Sequence, residues 1–312
     1  MNRVVVVGSC NLDFIVEVQS LPVPGQTVLG KDVVCRPGGK GANQAVAARR
    51  LGADVVFVSA TGADQFGVTV RESLAAEGID LEHLVTTHSP TGVALIVIDT
   101  SATNQITVAA GANRRLAPRH LAGLTDLFEP AAVLLLQLEI PIATCVVAAN
   151  GAHAAGATVV LNAAPMTRRI DDDLKALLDV TDVLIVNENE AMSLGAGAPA
   201  DVEGWLSFAA SYSTTGPAAV IVTLGAGGAV AAENGAAFAI PAHAVDAVDS
   251  TGAGDAFCGA VAAALAEKRP LREAVERGCA AGALATMAIG AQSSLPRTAD
   301  IERLLSRVGG QR

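Results

Sequence analysis

The chain is predicted to be an α/β protein, a three-layer α/β/α arrangement around a mostly parallel central sheet, with a small β-sheet lid attached. Three observations carry this. Short runs of β-branched and aliphatic residues, such as Arg3–Val7, recur along the chain and mark strands buried on both faces. From Pro118 onward such runs alternate with helical stretches, the rhythm of a parallel sheet covered by helices. Over about residues 14–35 and 92–109 the strand-like segments instead alternate apolar and polar residues, as half-exposed strands do.

Taken in order, Arg3–Val7 runs into Gly8-Ser9-Cys10-Asn11-Leu12-Asp13, read as a polar loop at a strand's carboxyl end, the edge where open α/β sheets collect ligands. Asn11 and Asp13 serve there equally well as turn residues or as ligand contacts. Phe14–Val18 and Gln26–Val34 are expected as lid strands around a Pro22–Gly25 turn. Arg36–Gln44 leads into a helix ending near Leu51. Gly38, Gly39 and Gly41 would let backbone approach a ligand closely, and Asn43 offers a donor and an acceptor. Lys40 is no P-loop lysine, because no Ser or Thr follows it and the glycine spacing is wrong; G-x-G-x-x-G is absent too. Asp54–Thr61 reads as a buried strand, Gly67–Glu77 as a helix, and Gly92–Asp99 with Asn104–Ala109 as a hairpin-like pair closed by Gly111-Ala112-Asn113.

Further strands are expected at Val133–Gln137, Thr158–Asn162, Val183–Val186 and Ala218–Thr223, with helices at Ile142–Ala155 and Val202–Ser213. Polar residues gather at the strand ends: Gln137-Leu138-Glu139, Asn162 and Asn187-Glu188-Asn189-Glu190. Asn187 with Glu190 also has the spacing of a capping box. Thr223-Leu224-Gly225-Ala226-Gly227-Gly228 fits a tight hairpin. Ala229–Glu233 and Ala236–Ile240 form another across Asn234-Gly235, a type I′ signal. Helices Ala253–Glu267 and Leu271–Ala288 follow. No linker or repeat interrupts the chain, so residues 1–312 are expected to form a single domain.

The most informative stretch is Asp249-Ser250-Thr251-Gly252-Ala253-Gly254-Asp255-Ala256-Phe257. Its glycines let successive N–H groups turn into one concavity at a helix N-terminus, where the macrodipole favours an anion. Asp255 could simply cap the helix. A carboxylate beside an anion hole is also what phosphoryl transfer to a hydroxyl requires.

Composition narrows the function. Hydrophobic residues make up 51% of the 312 residues, which excludes disorder, and the apolar runs are far shorter than a membrane span. The first apolar run begins at once and is strand-length, so no signal peptide is expected. The net charge of −10 is spread along the chain without a basic patch. With one Trp, one Tyr and seven Phe, little is available for base stacking, and nucleic acid is excluded as a partner. The five scattered cysteines, without a C-x-x-C pair, suit a reducing cytoplasm.

Gly38-Gly39-Lys40-Gly41-Ala42-Asn43-Gln44 and Asp249–Phe257 resemble the two signatures of the PfkB, or ribokinase-like, family of sugar and nucleoside kinases, and Gln137-Leu138-Glu139 is most like its ribokinase branch. The resemblance covers essentially the whole chain. It implies ATP-dependent phosphorylation of a sugar's primary hydroxyl, D-ribose first, with deoxyribose, fructose or a nucleoside such as adenosine as alternatives. Phe14 is the only aromatic in the expected lid segments, which favours a bare sugar over a nucleoside. By the same resemblance Asn11, Leu12, Asp13, Gly39, Lys40, Gly41, Ala42, Asn43 and Glu139 would bind the sugar, and Asp255 would be the general base. Gly252, Ala253 and Gly254 would form the anion hole. Asn187, Thr223, Leu224, Gly225, Ala226, Gly227, Gly228, Gly254, Asp255 and Cys279 would bind ATP. Mg²⁺ would be held through water by Asn187 and Glu190, and K⁺ or a similar monovalent cation by Asp249, Thr251, Ala285, Ala288, Gly290 and Ser294. The family also implies a homodimer formed through the lid.

Overall fold

The computed structural model describes residues 2–101, 103–128, 133–166 and 170–309; parts of the expected 1–312 domain span therefore lie outside the described residues. The order is β1 (Arg3–Val7), β2 (Asn11–Glu17), β3 (Val34–Gly38), α1 (Lys40–Arg50), β4 (Asp54–Gly62), α2 (Gln65–Ala76), β5 (Leu84–Thr87), β6 (Gly92–Ile98) and β7 (Asn104–Ala109). There follow β8 (Val133–Gln137), α3 (Ile142–Ala154), β9 (Thr158–Asn162), α4 (Asp172–Leu178), β10 (Val183–Asn187), α5 (Glu188–Ala191), α6 (Val202–Tyr212), β11 (Ala219–Thr223), β12 (Ala229–Glu233) and β13 (Ala236–Ile240). The chain ends in α7 (Ala253–Ala266), α8 (Leu271–Ala285), α9 (Ala291–Ser294) and α10 (Thr298–Gly309).

Nine strands form one sheet in the order β13-β12-β11-β10-β9-β8-β1-β4-β5. It is parallel from β11 through β5, with β12 and β13 added antiparallel. Side chains alternate across a strand, so each central strand feeds two cores. Val4 and Val6 of β1 pack with Phe57, Leu135 and Ile185 under α1, α7 and α8. Val5 and Val7 pack with Val58, Leu134, Leu136 and Leu184 under α3, α4 and α6. Burial on both faces is why these strands read as unbroken apolar runs. The Asn234-Gly235 turn has positive φ at both residues (49° and 84°), as a type I′ hairpin requires.

A second sheet of four strands, β3-β2-β6-β7, stands apart from the first. It corrects two expectations. Asn11–Asp13 are not in a loop: they open β2 and pair at once with Gly38–Arg36 on one side and Gly92–Ala94 on the other. Gln26–Val34 is not a strand, and the segment beside β2 is Val34–Gly38. Both edges of β2 are filled by β3 and β6, which leaves Gln26–Val33 only an isolated bridge between Gly30 and Val18. Pro37 is tolerated because β3 is an edge strand. Asn104–Ala109 pairs antiparallel with Gly92–Ile98 as expected, and all of β7 is exposed.

Candidate active site

Helix packing assembles the site's centre. α1 crosses α7 at Gly259, where a Cβ would lie 2.5 Å from the Ala47 Cβ and 2.8 Å from the Gln44 carbonyl oxygen, so only glycine permits the approach. The crossing brings Asn43 and Gln44, on the first turn of α1, against Asp255 on the first turn of α7. Asn43 Nδ2 donates to one Asp255 carboxylate oxygen and Gln44 Nε2 to the other, each at 2.9 Å. Gln44 is itself fixed, accepting from Gln137 Nε2 at 2.7 Å and donating to Asn162 Oδ1 at 3.0 Å. Asp255, Asn43, Gln44 and Gln137 are all buried. Gln44 and Gln137 were not singled out as site residues from the sequence. Their signal was available, since a glutamine inside an otherwise apolar helix or strand must find a buried partner.

On one side of Asp255, β1 hands over to the small sheet. Gly39 has φ 89° with room for no Cβ, which would lie 2.9 Å from the Asn11 nitrogen; at Gly41 a Cβ would lie 2.6 Å from the Ser9 nitrogen. The 39–41 backbone thus rests directly on residues 9–11. Asn11 Oδ1 accepts from Asn113 Nδ2 at 2.8 Å, and the Cys10 N–H donates to Asn113 Oδ1 at 3.0 Å. Asn113 is a second support that sequence reasoning did not place in the site. Glu139, expected as a sugar acceptor, holds this junction together: its Oε2 accepts from Ser9 Oγ and, at 3.1 Å, from the Lys40 N–H. Leu12 and Ala42 are buried apolar wall.

Three side-chain acceptors of the site, Asp13 Oδ1, Asn43 Oδ1 and Gln137 Oε1, are buried and make no hydrogen bond among the described residues. Burial, with the Glu139 and Asp255 charges adding to it, pushes the Asp13 carboxyl up to about 7.

The other side is shaped for anions. Gly252, at φ 79°, caps α7. The expected trio of N–H donors is altered, because the Ala253 N–H donates to the Ser250 carbonyl at 3.2 Å. The N–H groups of Gly254 and Asp255 have no backbone partner among the described residues, as expected of a helix's first turn. They face a cavity of about 90 Å³ also lined by Lys40, Asn187, Glu190 and Thr223. Lys40, expected among the sugar contacts, lines this cavity. The Asp255 carboxylate holds its ammonium above the usual lysine range despite burial. Asn187 and Glu190 form the reciprocal capping box: the Asn187 N–H donates to Glu190 Oε2 and the Glu190 N–H to Asn187 Oδ1, both at 2.9 Å. Burial pushes Glu190 up, against the Asn187 N–H and the Lys40 charge.

Thr223 and Gly254 also line a larger cavity of about 570 Å³. Gly225, Ala226, Gly228 and Cys279 line it as expected, whereas Leu224 and Gly227 do not. Ser250, Ala253 and Phe257 of the flagged stretch also line it, and the rest of its wall comes from residues the sequence did not flag, chiefly His243–Val245 after β13, Gly282 and Thr286. Burial pushes the Cys279 thiol up to about 12, so it serves as apolar surface. An apolar, glycine-lined cavity opening onto a helix N-terminus suits a heterocyclic base joined to phosphates.

Behind that N-terminus lies the loop expected to hold a monovalent cation. Asp249 accepts from the Thr251 N–H at 2.9 Å and the Gly290 N–H at 2.8 Å. Ser294 Oγ donates to the Ala291 carbonyl at 3.0 Å, Ala285 closes α8, and Ala288 lies in the turn that follows. One carboxylate with hydroxyl and carbonyl oxygens around it is a donor set for a hard cation of low charge.

Comparison with known proteins matches the description "pfkB family carbohydrate kinase" to residues 1–298. The chain is 38% identical over 292 residues to the ribokinase of Haemophilus influenzae, covering 93% of this chain and 94% of that protein. It is 34% identical to the ribokinase of Bacillus subtilis, covering 98% and 100%. The solved structure of Arabidopsis thaliana ribokinase complexed with ribose and ATP superposes with a TM-score of 0.88 at 31% identity, covering 97% of this chain and 98% of that one.

Proposed function

The chain belongs to the pfkB family of carbohydrate kinases, and on that premise we propose that it transfers the γ-phosphoryl group of ATP to the primary hydroxyl of D-ribose, giving D-ribose 5-phosphate. The observation that carries the acceptor is the buried, unpaired pair Asp13 Oδ1 and Asn43 Oδ1 beside Asp255. Buried acceptors without donors are costly, and a ligand rich in hydroxyl donors removes the cost. A bare sugar fits better than a nucleoside, since Phe14, in T-shaped contact with Phe66 at 5.3 Å, is the one aromatic of the described lid strands.

In this reading Asn11, Asp13 and Asn43 bind the sugar hydroxyls, with Gly39 and Gly41 letting the backbone close on them, and the Glu139 carboxylate accepts another. Asp255 takes the proton of the primary hydroxyl as its oxygen attacks phosphorus, the carboxylate being aimed by Asn43 and Gln44. The Gly254 and Asp255 N–H groups and the Lys40 ammonium stabilise charge on the transferring phosphoryl oxygens. Bound Mg²⁺ would neutralise phosphate charge, with Asn187 and Glu190 holding its waters. A monovalent cation beside Asp249, with Ser294 and the Thr251, Ala285, Ala288 and Gly290 carbonyls, would fix the shape of the loop that leads into α7. The small sheet acts as a lid that excludes water from the transfer. Its exposed apolar side chains Ile106 and Val108, which share one face of β7, are covered by the same face of a second copy, giving a homodimer. Four buried free cysteines and one exposed fit a reducing cytoplasm.

The test is ADP release with Mg·ATP, in K⁺ and in Na⁺, over D-ribose, 2-deoxyribose, fructose and adenosine. The expected result is a kcat/KM for ribose well above the others, with K⁺ the better salt. Preference for another acceptor overturns ribose, and equal rates in the two salts overturn the cation site.

A further inference from the structure

Arg36 stands outside every group assigned above. It lies on β3, the edge strand of the small sheet, directly opposite Asp13 in the β2–β3 ladder. Its side chain leaves the small sheet altogether. Nη1 donates to Ser293 Oγ at 2.8 Å and reaches the Ile289 carbonyl at 3.4 Å, and Ser293 Oγ donates to that same carbonyl at 2.8 Å. The guanidinium rests on Gly290, where a Cβ would lie 2.8 Å from Nη1; Gly290 has φ 95°, a conformation that disfavours any other residue.

Gly290 is one of the two N–H donors that hold Asp249, the other being Thr251. Its neighbour Ala291 packs on Gly252, where a Cβ would lie 2.9 Å from the Ala291 Cα. An unbroken run of contacts therefore joins Asp13, through Arg36, Gly290 and Asp249, to the residue that caps α7. One end carries the unpaired acceptors and the other the unpaired N–H donors. Both contacts are made by one nitrogen of a planar guanidinium, whose fixed N–H directions set angle as well as distance, which a flexible ammonium would not.

We propose that Arg36 is a positioning residue that couples the seating of the sugar on the small sheet to the geometry of the 249–254 loop, so that each substrate binds more tightly when the other is present. The inference rests on the sugar-kinase reading for its ligands and on the Arg36–Ser293–Ile289 junction for its mechanism. Arg36 itself touches neither substrate.

The experiment is calorimetric binding of a non-hydrolysable ATP analogue with and without D-ribose, on the wild type, R36M, R36K and S293A. Methionine keeps an apolar stem and loses the guanidinium. In the wild type ribose is expected to tighten the analogue on the order of tenfold, within the usual range for coupled sites. In R36M the factor falls to about one- to twofold, while the affinity for each ligand alone stays within about threefold. S293A is expected to weaken the coupling, and R36K to restore part of it. Full coupling in R36M, or none in the wild type, overturns the proposal. If the wild type binds the analogue but not ribose, the acceptor assignment fails instead. The junction is then judged by hydrogen exchange of unliganded protein: amides of 249–254 and 289–292 are expected to exchange about tenfold faster in R36M, with α3 unchanged, and equal rates overturn it.

Discussion

At the scale of single residues, the site is a contrast between satisfied and unsatisfied groups. Asp255 is gripped at both oxygens by amide donors, whereas Asp13 faces no donor at one of them. Asp255→Asn should keep sugar and nucleotide affinity nearly intact and lower kcat by on the order of 10² or more, in line with loss of a general base; near-normal turnover would remove Asp255 from that role. Asp13 makes a different prediction. With its carboxyl raised from 3.8 to about 7, the unliganded native state holds that proton more tightly than the unfolded chain does. Its stabilising contribution is complete below about pH 4 and is lost as pH rises through about 7. Asp13→Asn should therefore weaken sugar binding yet melt higher than the wild type at pH 8, by ~2–4 °C, with the gap closing toward pH 4. A gap independent of pH would refute this. Asn43 and Asp255 were legible from the two motifs, and Asp13 from its place at the end of β1. The roles of Gln44, Gln137 and Asn113 were not read, because what defines them is the partner each meets across the fold.

Among the elements, the decisive contact is the α1–α7 crossing. Both helices are rich in small residues, so their backbones approach closely and the two first turns meet at Asp255. Gly259→Ala puts a Cβ against Ala47 and the Gln44 carbonyl. It should cost ~1–3 kcal/mol by denaturant unfolding, through overpacking, and lower kcat by displacing Gln44. Gly151 in α3 is the control: a Cβ there meets only a Phe128 ring carbon at 3.7 Å, so Gly151→Ala should leave activity unchanged and stability equal or higher. Equal effects at the two positions would refute the crossing's role. Most strands and helices were legible to within a residue or two, since each central strand is buried on both faces and its run of aliphatic residues has clear ends. β3 was misplaced because Gln26–Val34 and Val34–Gly38 have comparable strand character. Only the occupancy of β2's two edges selects between them.

For the whole molecule, two sheets of different character meet at one site. The nine-stranded sheet is enclosed between helices, while β7 of the small sheet has every residue exposed. Ile106, 52% exposed at the middle of that strand, is the side chain to change. Sedimentation should give a dimer for the wild type and a monomer for Ile106→Glu, since a buried unpaired carboxylate at a two-fold interface is met twice. A monomeric wild type would refute the dimer.

The sequence by itself determined the α/β class, most of the central strands and the helices between them, and the two motif segments whose glycines and acidic residues announce phosphoryl transfer to a sugar. These are local properties: the period of apolar residues and the positions that demand glycine can be read along a chain. The tertiary structure alone decided which partners the side chains and N–H groups of the site meet. It put Lys40 on the cavity beside Asp255, gave Glu139 a structural bond to Ser9, spent the Ala253 N–H on a turn and lined the larger cavity with residues 243–245. The reason is physical. A hydrogen bond is chosen by which donor and acceptor are brought within about 3 Å, and helix crossings and strand edges bring together residues that lie up to some two hundred positions apart in the chain, as Asn43 and Asp255 do.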